Sequence, residues 1–192
     1  MANKNDFGIN TQCVHVGEVE DKQFKGAVSP IYMATSYAFD GVDVKRYPRY
    51  YNTPNQEMLC KKIAALEHTE AGLIFGSGMA AISTALFAFL KAGDHIIIQQ
   101  VIYGGTYHLI VSEFEKYGIE YSFTDSDQVA DFIPLIKENT KVLYIETPSN
   151  PLLGITDIKA IGVLAKERNI ITIIDNTFAS PINQTPADFG ID

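Results

Sequence analysis

Apolar positions recur along this chain in two alternating patterns. Over residues 55–67, Met58, Leu59, Ile63, Ala64 and Leu66 fall at helical spacing and predict an amphipathic helix. Residues 71–75 predict a short strand, and 79–91 an apolar helix closed by Gly93. The same alternation continues with a strand over 95–100, a helix over 106–117 closed by Gly118, and a strand over 119–124. A helix follows over 128–138, with Pro134 its weak point, because proline removes a backbone donor. A strand over 141–146 leads to a helix over 157–168 that Asp157 caps, with Ile158, Ile161, Leu164 and Ala165 on one face. The run Ile170-Ile-Thr-Ile-Ile-Asp175 then reads as a strand buried on both faces. Strands alternating with helices predict an α/β fold, a mostly parallel sheet with helices on both faces. Residues 1–45 lack this periodicity and read as an N-terminal arm. Ile31, Tyr32, Tyr37 and Phe39 favour an arm docked on something else, such as a second subunit.

Composition narrows the class. The 192 residues are 46% hydrophobic and 20% charged, which suits a folded domain with a real core. A net charge of −8 argues against a nucleic-acid or anionic-membrane partner. Cys13 and Cys60 stand far apart and the four histidines show no paired ligand spacing, so neither a disulfide framework nor a zinc site is expected. The polar start lacks an apolar signal core, and no apolar run is long enough for a bilayer, so a cytoplasmic protein is expected. Asp188-Phe-Gly-Ile-Asp192 reads as a turn feeding a further strand, which makes the chain an expected piece of a longer protein.

Candidate chemistry gathers where predicted strands end. Asp175 closes the Ile-rich run, at the edge where open α/β sheets bind ligands, and a carboxylate there calls for a cationic partner. Phe75-Gly-Ser-Gly-Met-Ala-Ala81 joins a strand to a helix; small residues and free helix-start amides suit an anion, most naturally phosphate. A ligand-free tight turn is the plainer reading of that stretch. Gly76-x-Gly78-x-x-Ala81 also fits a dinucleotide fingerprint, but the next strand ends in Gln99-Gln100 rather than an acid. Tyr103, on the Gly-rich turn after the 95–100 strand, can stack on a flat ring and offer a phenol for proton transfer. Asn150 leaves another strand end within a proline-braced turn and can hydrogen-bond a ligand oxygen. Arg49 sits among Tyr47, Tyr50 and Tyr51; it suits a phosphate, though an exposed surface patch is the simpler account. Phosphate site, stacking ring and carboxylate together point to pyridoxal 5′-phosphate, whose ring nitrogen pairs with an acid.

Tyr47-x-Arg49, Gly76-Ser-Gly-Met-Ala-Ala81, Tyr103-Gly-Gly-Thr106, Glu146-Thr-Pro-Ser-Asn-Pro151 and Asp175-Asn-Thr-Phe-x-Ser-Pro181 resemble, in order and spacing, the Cys/Met-metabolism pyridoxal-phosphate enzymes. That group includes cystathionine γ-synthase, γ-lyase and β-lyase and O-acetylhomoserine sulfhydrylase. The resemblance implies a type I aminotransferase-like fold, incomplete in this chain, with residues 46–192 forming the N-terminal part of the cofactor-binding domain. It implies the Gly78 and Met79 amides on the phosphate, Tyr103 on the ring, Asp175 on the ring nitrogen, Thr177 at the ring side and Asn150 near the cofactor hydroxyl. Tyr47 and Arg49 would act across a subunit interface, in a homotetramer built from dimers. Tyr103 is the implied catalytic base.

Family members are about double this length, and their cofactor-bearing lysine follows a Ser-x-Thr beyond the point where this chain stops. Tyr50-Tyr51-Asn52-Thr-Pro54 departs from the family's usual x-Gly-Asn-Pro-Thr. Gly105 stands where methionine γ-lyases commonly carry cysteine, which lowers that activity among those implied. The expected reaction is trans-sulfuration at the β or γ carbon of a sulfur amino acid or O-acyl-homoserine. A nicotinamide-dependent oxidoreductase and a non-catalytic oligomerisation fragment are the alternatives from other classes.

Overall fold

The computed structural model describes residues 7–192, which form two compact units, one ending at Ile74 and the other spanning Phe75–Asp192. In the first unit, helix α1 (Ile9–His15) precedes a long irregular segment and helix α2 (Pro54–Leu66). α1 interrupts a stretch expected to be irregular throughout. It packs on α2, and Lys62 of α2 donates to the Cys13 and Val14 carbonyls at 2.9 and 2.7 Å, satisfying acceptors that the end of so short a helix leaves open. Gly17 follows with φ +77°, and a Cβ there would lie 2.7 Å from the Met58 carbonyl, so only glycine lets the chain pass α2 this closely. Farther along, the Asn55 side chain brackets Tyr32, accepting its N–H at 3.0 Å and donating to its carbonyl at 2.7 Å. Thr53 precedes α2, and Gln56 reaches back to accept its N–H at 3.1 Å, with Pro54 fixing the first turn. Residues 71–75, expected as a strand, form none; no described strand pairs with them, and an extended run without a ladder partner is not a strand.

The second unit holds a four-stranded, wholly parallel sheet in the order β2-β1-β3-β4. Its strands are β1 (His95–Ile98), β2 (Glu120–Phe123), β3 (Thr140–Glu146) and β4 (Ile171–Asp175). Alternation along the strands feeds two cores. Ile96, Ile98, Val142 and Tyr144 pack toward Leu86 of α3 (Gly78–Phe89) and Ile110 of α4 (Gly104–Glu113). Ile97, Leu143 and Ile145 pack the other way, toward Ile158 and Ile161 of α5 (Ile158–Arg168) and toward Phe132. Helices therefore cover both faces, as the sequence pattern requires. Asp157 caps α5, accepting the Ala160 N–H at 3.0 Å. Short helix α6 (Ser180–Asn183) follows β4. Among the described residues no helix is long and apolar enough to cross a membrane.

Two expectations fail here for identifiable reasons. The helix expected over 128–138 is two single 3₁₀ turns, Val129–Asp131 and Ile133–Leu135, which meet at Phe132; Pro134, inside the second, has a ring and a missing N–H that stop a continuous α-helical ladder. β4 is not buried on both faces. Among the described residues it pairs only with β3, and of its five residues only Thr172 is buried.

His95, fully buried at the start of β1, places Nδ1 2.8 Å from the Thr140 hydroxyl and Nε2 3.0 Å from the Ser122 hydroxyl. Burial lowers its pKa below the ordinary 6.5, helped by Lys137 and opposed by Glu120. The unfolded chain therefore takes up this proton at a higher pH than the folded one, so the contribution is intact above 6.5 and is lost as pH falls toward the folded value. We expect the urea midpoint to drop between about pH 7.5 and about pH 5.5, and His95→Asn to flatten that slope. An unchanged slope in the variant would assign it elsewhere.

Candidate active site

The carboxyl ends of β1, β3 and β4 open into a pocket of about 340 Å³ within the second unit. Ser77, Gly78, Met79, Tyr103, Glu146, Asn150, Asp175 and Thr177 are among its lining residues. Six sequence candidates thus meet in one place: Gly78, Met79, Tyr103, Asn150, Asp175 and Thr177. Tyr47 and Arg49 lie in the first unit, where they bond to each other and the guanidinium sits 5.5 Å from the Tyr47 ring centre.

One wall is the start of α3. Ser77 is its N-cap, with Oγ accepting the Ala80 N–H at 3.1 Å, which leaves the Gly78 and Met79 amides without partners among the described residues. Those amides and the positive end of the helix suit an anion. Across the pocket, Asp175 ends β4. Its Oδ1 accepts the Thr177 N–H at 3.1 Å and the Thr177 hydroxyl at 2.5 Å, so Thr177 orients the carboxylate and leaves Oδ2 without a partner among the described residues. The third wall is Tyr103, whose side chain is 43% exposed and free to cover a flat ligand. A Cβ on Gly105 would come within 2.5 Å of the Tyr103 ring carbon Cε1 and 2.9 Å of the Met79 sulfur, so glycine there makes room for the ring's placement.

Sequence reasoning overlooked Glu146. It ends β3 in direct register with Asp175, so two carboxylates stand side by side at the sheet edge. Its oxygens accept the Tyr103 N–H at 2.7 Å and the Asn150 N–H at 2.6 Å. Burial pushes this carboxyl up; the two N–H bonds pull it down and neighbouring Asp175 pushes it up again. Its main chain is held by Gln99, whose Oε1 accepts the Glu146 N–H at 3.2 Å and whose Nε2 donates to the Glu146 carbonyl at 2.9 Å. Below, Tyr144 shares this face of β3. Burial raises its phenol well above the ordinary range, and Asp175 adds to the effect. An acid following the apolar run Val142-Leu-Tyr-Ile145 was the available signal for Glu146, of the same kind that singled out Asp175.

The donor set can be tested against the cofactor expected from sequence. Neither Glu146 nor Asp175 forms an ion pair among the described residues, so the pocket has a deficit of positive charge beside Asp175 Oδ2. Free amides for a phosphate lie on the α3 wall, and a ring-sized aromatic flanks the space between. A phosphorylated pyridinium meets each of these demands.

Fold and site together define an α/β protein built to hold a flat, cationic, phosphorylated ring at its strand ends. The chain belongs to the Cys/Met-metabolism pyridoxal-phosphate-dependent enzyme family, whose profile matches residues 10–192. It is 44% identical to cystathionine β-lyase MetC of Bacillus subtilis, over 98% of this chain and 49% of that protein. The crystal structure of metB from Corynebacterium glutamicum matches with a TM-score of 0.92 at 38% identity, over 98% of this chain and 50% of that one. A putative O-acetylhomoserine (thiol)-lyase from Campylobacter jejuni, whose structure carries a pyridoxyl-lysine-phosphate, matches with a TM-score of 0.89 at 32% identity, over 97% and 49%. The chain spans about half the length of the curated relatives it matches. Family membership sets aside the nicotinamide alternative, whose ribose-binding acid is replaced by Gln99, a residue engaged in bracing β3.

Gly105→Ala is expected to swing the half-exposed Tyr103 ring out of the pocket while changing stability by no more than about 0.5 kcal/mol. A crystal structure and a thermal melt of the variant check this. A ring left in place would mean that the start of α4 yields instead.

Proposed function

We propose that the complete protein carrying these residues is a pyridoxal-phosphate-dependent trans-sulfuration enzyme of the cystathionine γ-synthase or γ-lyase type. It acts at the β or γ carbon of a sulfur amino acid or an O-acyl-homoserine. Cystathionine β-lyase is a second reading, favoured by the 44% identity to the Bacillus enzyme, and O-acetylhomoserine sulfhydrylase a third. The observation that carries the proposal is the pairing, in one pocket, of the unengaged Asp175 Oδ2 with the unengaged Gly78 and Met79 amides.

In this reading each side chain has a task. Gly78 and Met79 donate to the phosphate, and the dipole of α3 adds to the attraction. Asp175 accepts the ring N–H and keeps that nitrogen protonated, while Thr177 fixes its rotamer. The bound cofactor supplies an electron sink for charge left on substrate carbon. Tyr103 covers one ring face, excludes water there and moves a proton at its phenol oxygen. Asn150 holds the ring hydroxyl through its side-chain amide. Tyr47 and Arg49 bind the phosphate of a neighbouring subunit, which makes the working form at least a dimer and, as a pair of dimers, a homotetramer. Residues 1–45 are the arm and 46–192 the first part of the cofactor-binding domain. The compartment is the cytoplasm, where two unpaired cysteines stay reduced.

Asp175→Ala in the complete protein should abolish turnover of L-cystathionine and of O-acetylhomoserine with a thiol, and should release the cofactor on dialysis. Retention and turnover near those of the unaltered protein would sink the site assignment. The products of the two substrates separate the readings: pyruvate with homocysteine from L-cystathionine marks β chemistry, whereas 2-oxobutyrate with cysteine, or replacement of acetate by the thiol on O-acetylhomoserine, marks γ chemistry.

A further inference from the structure

Glu146 is an acid with no cationic partner among the described residues and two loops to hold. It is 4% exposed, yet its carboxylate reaches the pocket wall. Oε2 takes the N–H of Tyr103, the residue that opens α4; Oε1 takes the N–H of Asn150, in the turn after β3. Behind it, Gln99 grips both the N–H and the carbonyl of Glu146, and the Thr156 hydroxyl donates to the same Gln99 oxygen at 2.9 Å. The carboxylate is therefore a fixed post rather than a follower of either loop.

We propose that Glu146 is a positioning residue, whose ionised carboxylate ties the loops of Tyr103 and Asn150 to one point and so sets both side chains over the bound cofactor together. This rests on the reading of the pocket given above. The chemistry is specific to the charged form. A carboxylate has two accepting oxygens and serves two N–H groups at once. A protonated acid, or an amide in its place, turns one of those positions into a donor facing a donor, and one loop loses its anchor.

The groups facing this acid are Asp175 from β4, Tyr144 from its own strand and Tyr103 from the β1–α4 turn; the pocket residues contributed by α3 carry no titratable side chain. Burial beside Asp175 pushes the Glu146 carboxyl above its ordinary 4.5. Ionising it therefore costs the fold stability as pH climbs from 4.5 through the folded value, while the same ionisation completes the clamp. Stability and positioning move in opposite directions over one pH range, a signature that a merely structural acid would not give.

The test uses the complete protein. Without cofactor, the amide proton resonances of Tyr103 and Asn150 should titrate together with a shared midpoint above 4.5. Titration with pyridoxal 5′-phosphate, followed by fluorescence quenching, should show affinity rising with pH through that same midpoint. Glu146→Gln should remove the step and weaken binding about tenfold at neutral pH. Amides that titrate apart or not at all overturn the proposal, and they do so even if the variant fails to fold. Unaltered affinity and an unaltered pH step in Glu146→Gln overturn it as well. Asp175→Asn separates the two levels. If it binds cofactor normally, the pocket reading and this proposal fall together; if it loses cofactor while Glu146→Gln keeps it, only the role of Glu146 falls.

Discussion

The register between β3 and β4 is the constraint from which the site follows. Pairing Val142 with Ile171 brings Glu146 beside Asp175, four residues on in each strand. Because the strands are parallel, both acids emerge at the same edge, and both point to the face covered by α3 and α4. A buried carboxylate beside a part-buried one, neither with a cation among the described residues, is costly unless each is given donors. The local chain supplies them in two ways. Glu146 is satisfied by backbone N–H groups from two loops, and Asp175 by its own neighbour Thr177 on one oxygen only. The remaining oxygen is a charged acceptor that none of the described residues engages, open to something brought in from outside.

Much of this architecture was legible from periodicity. The helices around 55–67, 79–91 and 157–168 and the strands around 95–100 and 141–146 all form, within a few residues, because their apolar spacing matches the faces they bury. The failures share a cause, which is that pattern carries no knowledge of partners. Residues 71–75 have strand-like composition, yet a strand exists only in a ladder, and no described strand lies beside them. β4 has the composition of a central strand and, with one neighbour among the described residues, keeps four of its five residues only part-buried. At 128–138 Phe132 enters the core, with Leu135 and Ile136 packed against it part-buried, but around Pro134 the segment forms only single 3₁₀ turns.

The candidate site divides along the same line. Asp175, Gly78, Tyr103 and Asn150 were legible because each sits where a strand ends or a helix begins, and local sequence marks those junctions well, whereas Met79 and Thr177 came from the family resemblance. Glu146 and Gln99 were not, because what they do is cross-strand. Gln99 reads from sequence as a missing acid; in the fold its amide is the brace that holds the end of β3 to β1. Glu146 reads as part of a turn motif; in the fold it is the only carboxylate whose two oxygens serve two different loops of the pocket.

That division explains why the chain tolerates an expensive arrangement. A hydrophobic or amide side chain at 146 would relieve the burial that raises its carboxyl and would remove the repulsion from Asp175. Neither could hold Tyr103 and Asn150 at once. Tyr103 is nearly half-exposed and Gly105 offers it no side chain to lean on, so its backbone anchor is the main restraint on where the ring lies. A flat ligand needs that ring within stacking distance on one side and the Asn150 side chain at its edge, and two independently fluctuating loops would meet both requirements only part of the time. Binding both to one charged, braced acid converts two loop positions into one, at a cost in fold stability that the two cores on either side of the sheet can absorb.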